Sequence, residues 1–317
     1  MKMCKGKIVI ALGGNALQAF GSPPTAEAQL EVVRKTCDYI GQIVARDYEI
    51  ALVHGNGPQV GRILLASETA RDVTPPLPFD VCGAMSQGYI GYHLQQAMHE
   101  ALVKIGKGHI QVITIVTQML VDKDDPAFQN PTKPIGPFYT EEEAKTIAAE
   151  KHYVMKEDAG RGWRRVVASP IPNRIVEIDS IKRLWDSTIV VFAGGGGIPV
   201  IQRGDGSYEG VPAVIDKDYA AELLAEQVGV DTLLILTEVE KVAVNFNKPD
   251  QKDLSHMTVK EAERYIAEGH FAPGSMLPKV QAAVKFVKSG EGKTAIITSL
   301  FKAVGALEGK TGTHITV

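Results

Sequence analysis

The stretch Lys7-Ile-Val-Ile-Ala11, running into Leu12-Gly13-Gly14-Asn15, decides the fold. A short apolar run that ends on paired glycines reads as a buried strand of a parallel sheet followed by a tight turn. The pattern occurs twice more: Ile50-Ala-Leu-Val53 meets His54-Gly55-Asn56-Gly57-Pro58, and Ile189-Val-Val-Phe-Ala193 meets Gly194-Gly195-Gly196-Gly197. Glycine lacks a Cβ, so such turns bend sharply and bring backbone N–H groups up to an anion. A helix opening beyond the turn adds unpaired N–H groups and a positive dipole end. Several such turns at one sheet edge would cradle a polyphosphate.

Around these turns, Val- and Ile-rich runs alternate with amphipathic segments, the pattern of a mainly parallel sheet covered on both faces. Strands are expected at 7–12, 49–53, 110–116, 188–193, 232–237 and 293–298. Helices are expected at 25–46, 58–70, 83–105, 217–228, 258–267 and 276–288, with a hairpin at Gly204-Asp205-Gly206-Ser207. Residues 122–172 break the rhythm with six prolines, Pro126 to Pro172, and a short helix near 140–150. That span is too long for an ordinary connection. It reads as a small lid subdomain over the site, or as a surface or dimer-contact insertion.

The 317 residues are 44% hydrophobic and 22% charged, with a net charge of −3, so no basic excess points to nucleic acid. Any anion site must be local. Cys4, Cys37 and Cys82 form no Cys-x-x-Cys pair, which argues against disulfides and zinc and suits a reducing compartment. No run approaches the ~18 apolar residues of a membrane span. A cytoplasmic protein without membrane or nucleic-acid partners is the expectation.

Some motifs mislead. Gly55-x-Gly57-x-x-x-Gly61 lacks the following strand and acidic ribose ligand of a dinucleotide site. Gly292-Lys293-Thr294 precedes a strand and has Val287 where a P-loop needs glycine. Ser86 misses the nucleophile-elbow pattern, no metal-binding histidine spacing occurs, and Asp122, Asp124 and Asp125 read as a solvated loop. Phosphoryl transfer asks mainly for alignment and charge neutralisation. Lys217, between Asp216 and Asp218 at a helix start, suits that task, as do Lys279 after Gly274-Ser-Met-Leu-Pro278 and Lys133 in the suspected lid. One of Asp216 and Asp218 could orient lysines or bind Mg²⁺ while the other caps the helix. Asn15 could meet a phosphate oxygen or satisfy its own turn.

Eight segments carry a resemblance: Ala11-Leu-Gly-Gly-Asn-Ala16, Gly55-Asn-Gly-Pro-Gln-Val-Gly61, Cys82-Gly-Ala-Met-Ser-Gln-Gly88, Asn130-Pro-Thr-Lys-Pro-Ile-Gly136, Glu157-Asp-Ala-Gly-Arg-Gly-Trp163, Gly194 to Pro199, Val214-Ile-Asp-Lys-Asp218 and Phe271-Ala-Pro-Gly-Ser-Met-Leu-Pro-Lys279. Together, in this order, they resemble the carbamate kinases of the amino acid kinase superfamily, from Lys7 to Val317. The resemblance implies a single α/β domain, an open αβα sandwich on a mainly parallel eight-stranded sheet, assembled as a homodimer. It places carbamate or carbamoyl phosphate on the N-terminal half, and ATP or ADP with Mg²⁺ on residues 188–317. Gly13, Gly14 and Asn15, with Gly55, Asn56, Gly57, Gly195 and Gly196, would then hold substrate and phosphate. Lys217, Thr237, Gly274, Ser275, Met276 and Lys279 would hold the nucleotide, and Mg²⁺ would be carried mainly by nucleotide phosphates. Lys133, Lys217, Asp218 and Lys279 would be the catalytic set, with Asp218 holding the lysines and Lys133 reaching in from the lid.

Relatives acting on acetylglutamate or aspartate carry lysine where this chain has Ala11, so Lys133 is the expected substitute. Ala243 stands where many members have a bulkier side chain, and His314 where many have arginine. The implied reaction is ATP + carbamate ⇌ ADP + carbamoyl phosphate, running toward ATP in carbamoyl phosphate (arginine) catabolism. A sibling small-acid kinase, a catalytically silent nucleotide-binding regulator and a dehydrogenase are the competing readings.

Overall fold

The apolar run that opens the chain forms β1 (Gly6–Leu12), whose last five residues are buried. The structure, a computed structural model, describes residues 4–317 apart from Phe20, Ala159 and Ser187. Ala159 of the Glu157–Trp163 segment therefore lies outside the described residues. Thr25 caps α1 (Ala26–Val44) by accepting the Ala28 N–H at 3.2 Å, and α1 buries Val33, Cys37, Ile40 and Val44 at three- and four-residue spacing. β2 (Tyr48–His54) leads into α2 (Gly57–Thr69), with Pro58 in its first turn where no N–H is needed. α3 (Phe79–Lys104) starts directly after the proline-rich loop, four residues earlier than its sequence pattern indicates, and β3 (Gln111–Thr114) follows.

The proline-rich span and the residues flanking it build two further sheets. β4 (Gln118–Val121) comes first, then β5 (Lys133–Tyr139), α4 (Glu141–Lys151), β6 (Met155–Glu157), β7 (Trp163–Val167), β8 (Pro172–Ile175) and α5 (Ile178–Trp185). β5, β7 and β6 pair antiparallel as a sheet of their own beside α4, which carries a capping box between Thr140 and Glu143. β9 (Thr188–Phe192) returns to the main sheet, and β10 (Ile198–Gln202) and β11 (Tyr208–Gly210) form the expected hairpin. β11, β10, β4 and β8 make a four-stranded sheet.

The remainder runs α6 (Lys217–Val228), β12 (Thr232–Thr237), β13 (Val242–Val244), β14 (Lys252–Leu254), β15 (His256–Thr258), α7 (Val259–Ala267), α8 (Met276–Lys288), β16 (Thr294–Ser299), α9 (Ala303–Leu307) and β17 (Thr313–Thr316). The main sheet has eight strands in the order β15-β17-β16-β12-β1-β2-β9-β3, parallel except for β16 against β17. Side chains alternate across it. Val9 and Ala11 of β1 join a core with α5, α6, α7 and α8, whereas Ile8, Ile10 and Leu12 join a second core with α1, α3 and α9. Three layers result, as expected. Leu12 pairs with His54, Ala11 with Ile235 and Val53 with Phe192, so the loops leaving β12, β1, β2 and β9 emerge side by side at one edge.

Candidate active site

Each glycine turn does a different job at this edge. After β1, Gly13 and Gly14 close a 3-10 turn, with Ala16 N–H donating to the Gly13 carbonyl at 3.1 Å and Leu17 N–H to that of Gly14 at 3.0 Å. A Cβ on Gly13 would stand 3.1 Å from the Leu236 carbonyl oxygen, whereas one on Gly14 would meet nothing within 4 Å. Gly14 thus presents open backbone. The exposed Asn15 donates from Nδ2 to Glu238, on the loop after β12.

After β2, a Cβ on Gly55 would lie 3.4 Å from Lys217 Cδ, and one on Gly57 3.5 Å from the Pro134 carbonyl oxygen. This turn therefore touches both the start of α6 and the start of β5. Asn56 is buried and donates from Nδ2 to Ser86 Oγ at 2.8 Å, and Ser86 donates on to the Gly83 carbonyl at 2.6 Å. Its Oδ1 is buried without a partner among the described residues.

After β9 the glycines serve close packing. Gly195, Gly196 and Gly197 have φ of +67°, +86° and +90°. A Cβ on them would fall 2.1 Å from the Asn56 amide, 2.2 Å from the Ile215 carbonyl oxygen and 2.1 Å from Met119 Cγ, respectively. The Gly196 N–H is already bonded to the Ala193 carbonyl at 2.7 Å. Gln87 fastens this loop, donating to the carbonyls of Gly194 (3.0 Å) and Thr117 (3.2 Å) and accepting the Thr117 N–H at 2.9 Å. His54, fully buried beneath Gly194, is held as a neutral imidazole: burial lowers its pKa to about 4, outweighing its contact with the Gly55 carbonyl.

Charge gathers where α6 begins. Asp216 is its N-cap: one oxygen accepts the Asp218 N–H at 2.9 Å and the other lies 2.5 Å from Lys133 Nζ. Asp218 is 1% exposed, with Oδ2 at 2.9 Å from Lys279 Nζ and Oδ1 at 3.4 Å from Lys217 Nζ. Three ammonium groups facing two carboxylates at a helix N-terminus leave the corner net positive, which suits a polyphosphate. Burial opposes ionisation of Asp216, but Lys133, Lys217 and the Asp218 N–H hold its carboxyl well below the usual range. Burial likewise disfavours charge on Lys217, yet Asp218 and Asp216 raise its pKa above the ordinary lysine value. For Lys279 burial prevails, aided by the charge of Lys217, and its pKa is lowered despite Asp218.

The other expected positions flank this corner. Thr237 ends β12, paired with Ser299. Gly274, at φ +75°, and Ser275 are exposed in the turn before α8, and Met276 opens that helix one turn before Lys279. Ala11 is buried within β1 and carries no charge, and Lys133, at the start of β5, places its ammonium 2.5 Å from Asp216. Asp125 caps a turn by accepting the Ala127 and Ile171 N–H groups, and Asp122 accepts that of Asp124. Among the described residues no group of three or more His, Cys, Asp or Glu side chains is gathered as an ion cage. Sequence reasoning missed Glu238 beside Asn15, the clamp of Gln87 and Thr117, and the Lys133–Asp216 pair. The quoted Cys82–Gly88 segment, which contains Gln87, was the available signal.

A family model described as "Amino acid kinase family" matches residues 6–299. The carbamate kinase of Clostridium perfringens is 58% identical over 313 residues, covering 98% of this chain and 99% of the relative. That of Pyrococcus horikoshii is 55% identical over 313 residues, with the same coverage. Among solved structures, carbamate kinase from Giardia lamblia bound to AMP-PNP superposes with a TM-score of 0.89 at 45% identity, covering 98% of both chains.

Proposed function

Because the chain belongs to the amino acid kinase family, we propose that the lysine cluster on Asp218 carries its phosphoryl transfer, with the turns of β1 and β2 holding the small substrate. The enzyme is a carbamate kinase in its chemistry, transferring a phosphoryl group between ATP and carbamate. An oxygen of the carbamate carboxylate attacks the γ-phosphorus, the bond from that phosphorus to the ADP oxygen breaks, and the electron pair leaves with ADP. Carbamate is already an oxyanion, so no residue need remove a proton, in keeping with an edge built of lysines and backbone amides.

Lys217 and Lys279 offset charge on the moving group, Asp218 orients both, and the turn of Gly13, Gly14 and Asn15 supplies donors to its oxygens. Gly55, Asn56 and Gly57 border the carbamate, and Lys133 adds the charge that Ala11 lacks. Gly195 acts by seating Asn56, and Gly196 by letting its loop pass close to the Ile215 carbonyl just before Asp216. Thr237, Gly274, Ser275 and Met276 border the nucleotide. Mg²⁺ would shield the phosphates; with both Asp216 oxygens and Asp218 Oδ2 engaged and only Asp218 Oδ1 without a hydrogen bond among the described residues, the ion would be held mainly through the nucleotide.

The observation that carries this reading is a single buried carboxylate gripping two lysines from different helices beside the Gly55 turn. Residues 122–172 act as a lid that brings Lys133 to the site, and its strand β5 packs on α2, where a Cβ on Gly61 would fall 2.1 Å from Gly136 Cα. Net flux runs toward ATP, because carbamoyl phosphate is a mixed anhydride. The protein works in the cytoplasm, and no helix of the described residues is long and apolar enough to cross a membrane. A homodimer forms through α3, where Val81, Met85, Tyr92 and Val103 are exposed along one face at helical spacing. The test is a substrate panel with ADP formation as readout. Carbamate should be phosphorylated in preference to acetylglutamate and aspartate; preference for either amino acid would overturn the assignment.

A further inference from the structure

The two helices that supply the site's lysines are joined by more than Asp218. Along their contact, Asp218 meets Lys279 at 2.9 Å, the Tyr219 hydroxyl donates to Gln281 Oε1 at 2.8 Å, and Glu222 meets Lys285 at 2.7 Å. Glu222 lies one turn along α6 from Asp218. It is 0% exposed, with Oε2 on Lys285 and, as its other charged neighbour, Glu226 one turn further along α6. Lys285, by contrast, is 44% exposed and reaches inward. A buried carboxylate gripped on one oxygen is a poor way to stabilise a core, where an apolar side chain of similar volume does as well or better. Its presence calls for a role beyond packing.

We propose that Glu222 is a positioning residue for phosphoryl transfer: its ionised carboxylate, gripped by Lys285, holds α8 against α6 in the register that seats Lys279 on Asp218. This rests on the reading that Lys279 meets the transferred group. The charged groups acting on Glu222 are Lys285 from α8 and Glu226 one turn along its own helix. The strands beneath and α5 contribute apolar core side chains, among them Val9, Leu233, Ile235 and Ile181. Burial lifts the carboxyl to about 7 against the pull of Lys285, with Glu226 adding to the rise. Near neutrality the rung therefore exists in two forms, and only the ionised one ties the helices by charge.

The test measures kcat and KM for carbamoyl phosphate, from about pH 5.5 to 9, in the parent, Glu222→Gln, Lys285→Met and Lys279→Ala, with a thermal melt of each. The parent's kcat should fall as pH drops through about 7. Glu222→Gln should lose that inflection and run about tenfold slower at alkaline pH, with KM within about twofold, as for a small misplacement of a reacting group. Lys285→Met, altered at a half-exposed side chain, should reproduce the loss and decides the matter if Glu222→Gln does not fold. Folded variants that keep both the parent kcat and its inflection overturn the proposal. If they do so while Lys279→Ala is inactive, only the positioning role fails; an active Lys279→Ala removes the reading beneath it.

Discussion

Replacing Asp218 with Asn keeps the shape of the side chain and removes the charge on which the site is organised. The carboxylate is 1% exposed and lies 2.9 Å from Lys279 and 3.4 Å from Lys217. Removing one partner of a buried ion pair costs about 3–5 kcal/mol, because the remaining charge is left without compensation. Two lysines lose their counterion here, so the melting temperature should drop measurably. Lys279 is the more vulnerable: burial and Lys217 already hold its pKa below the ordinary value, and Asp218 alone heads the opposing influences. In Asp218→Asn its pKa falls further, so the alkaline limb of the pH–rate profile should move to lower pH. Turnover should fall by about 10²–10³-fold, the scale of losing a strong charge-stabilising donor in the transition state. The assay is ATP formation from ADP, Mg²⁺ and carbamoyl phosphate across the pH range, with melts on the same preparations. A folded Asp218→Asn enzyme within about threefold of the parent, with an unmoved alkaline limb, would refute the reasoning.

Four further outcomes follow from single positions. His54 has its pKa lowered to about 4 from 6.5, so its contribution to stability is complete above pH 6.5 and is lost as pH falls toward 4. The loss is about 3 kcal/mol over that window, and melts of His54→Gln should show a flatter acid limb; parallel curves would contradict it. Gly14→Ala should fold like the parent but turn over more slowly. Gly196→Ala should lose more than about 2 kcal/mol in denaturant titrations, because φ is +86° and backbone blocks its Cβ; equal stabilities would contradict this. Glu68 of α2 takes Lys151 at 2.7 Å, the Tyr153 hydroxyl, and Arg165 at 3.7 Å, and these hold its carboxyl below the usual range although burial pushes the other way. Glu68→Gln should speed hydrogen exchange of residues 151–165 about tenfold; unchanged exchange would show that Glu68 does not tether that segment.

What the sequence made legible was local. The helix at 217–228 coincides with α6, because Asp216 caps it and the αL Gly229 ends it, both signals lying within a few residues of its ends. Six of the eight main-sheet strands showed as apolar runs because both faces are covered, whereas the short edge strand β15 and its neighbour β17 did not. The four-stranded sheet did not show: β4 pairs with β10 some eighty residues away, and its short strands carry no period of their own. α5 escaped notice because Ile178–Trp185 spans only two turns. At the site, Lys217, Asp218 and Lys279 stood out by their neighbours, but the pairing of Lys133 with Asp216 requires the folded approach of β5 to α6. The glycines after β9 were visible, whereas their packing against Asn56 and Ile215 was not, since a positive φ and an absent Cβ look alike in sequence whether they admit a phosphate or a neighbouring chain.

The most direct measurement is single-turnover ATP formation from enzyme-bound ADP and carbamoyl phosphate in Lys279→Ala and Lys217→Ala, each checked for folding. The account predicts a chemical step slowed on the order of 10²-fold or more in both. A chemical step of near-parent rate in the two folded variants would contradict it.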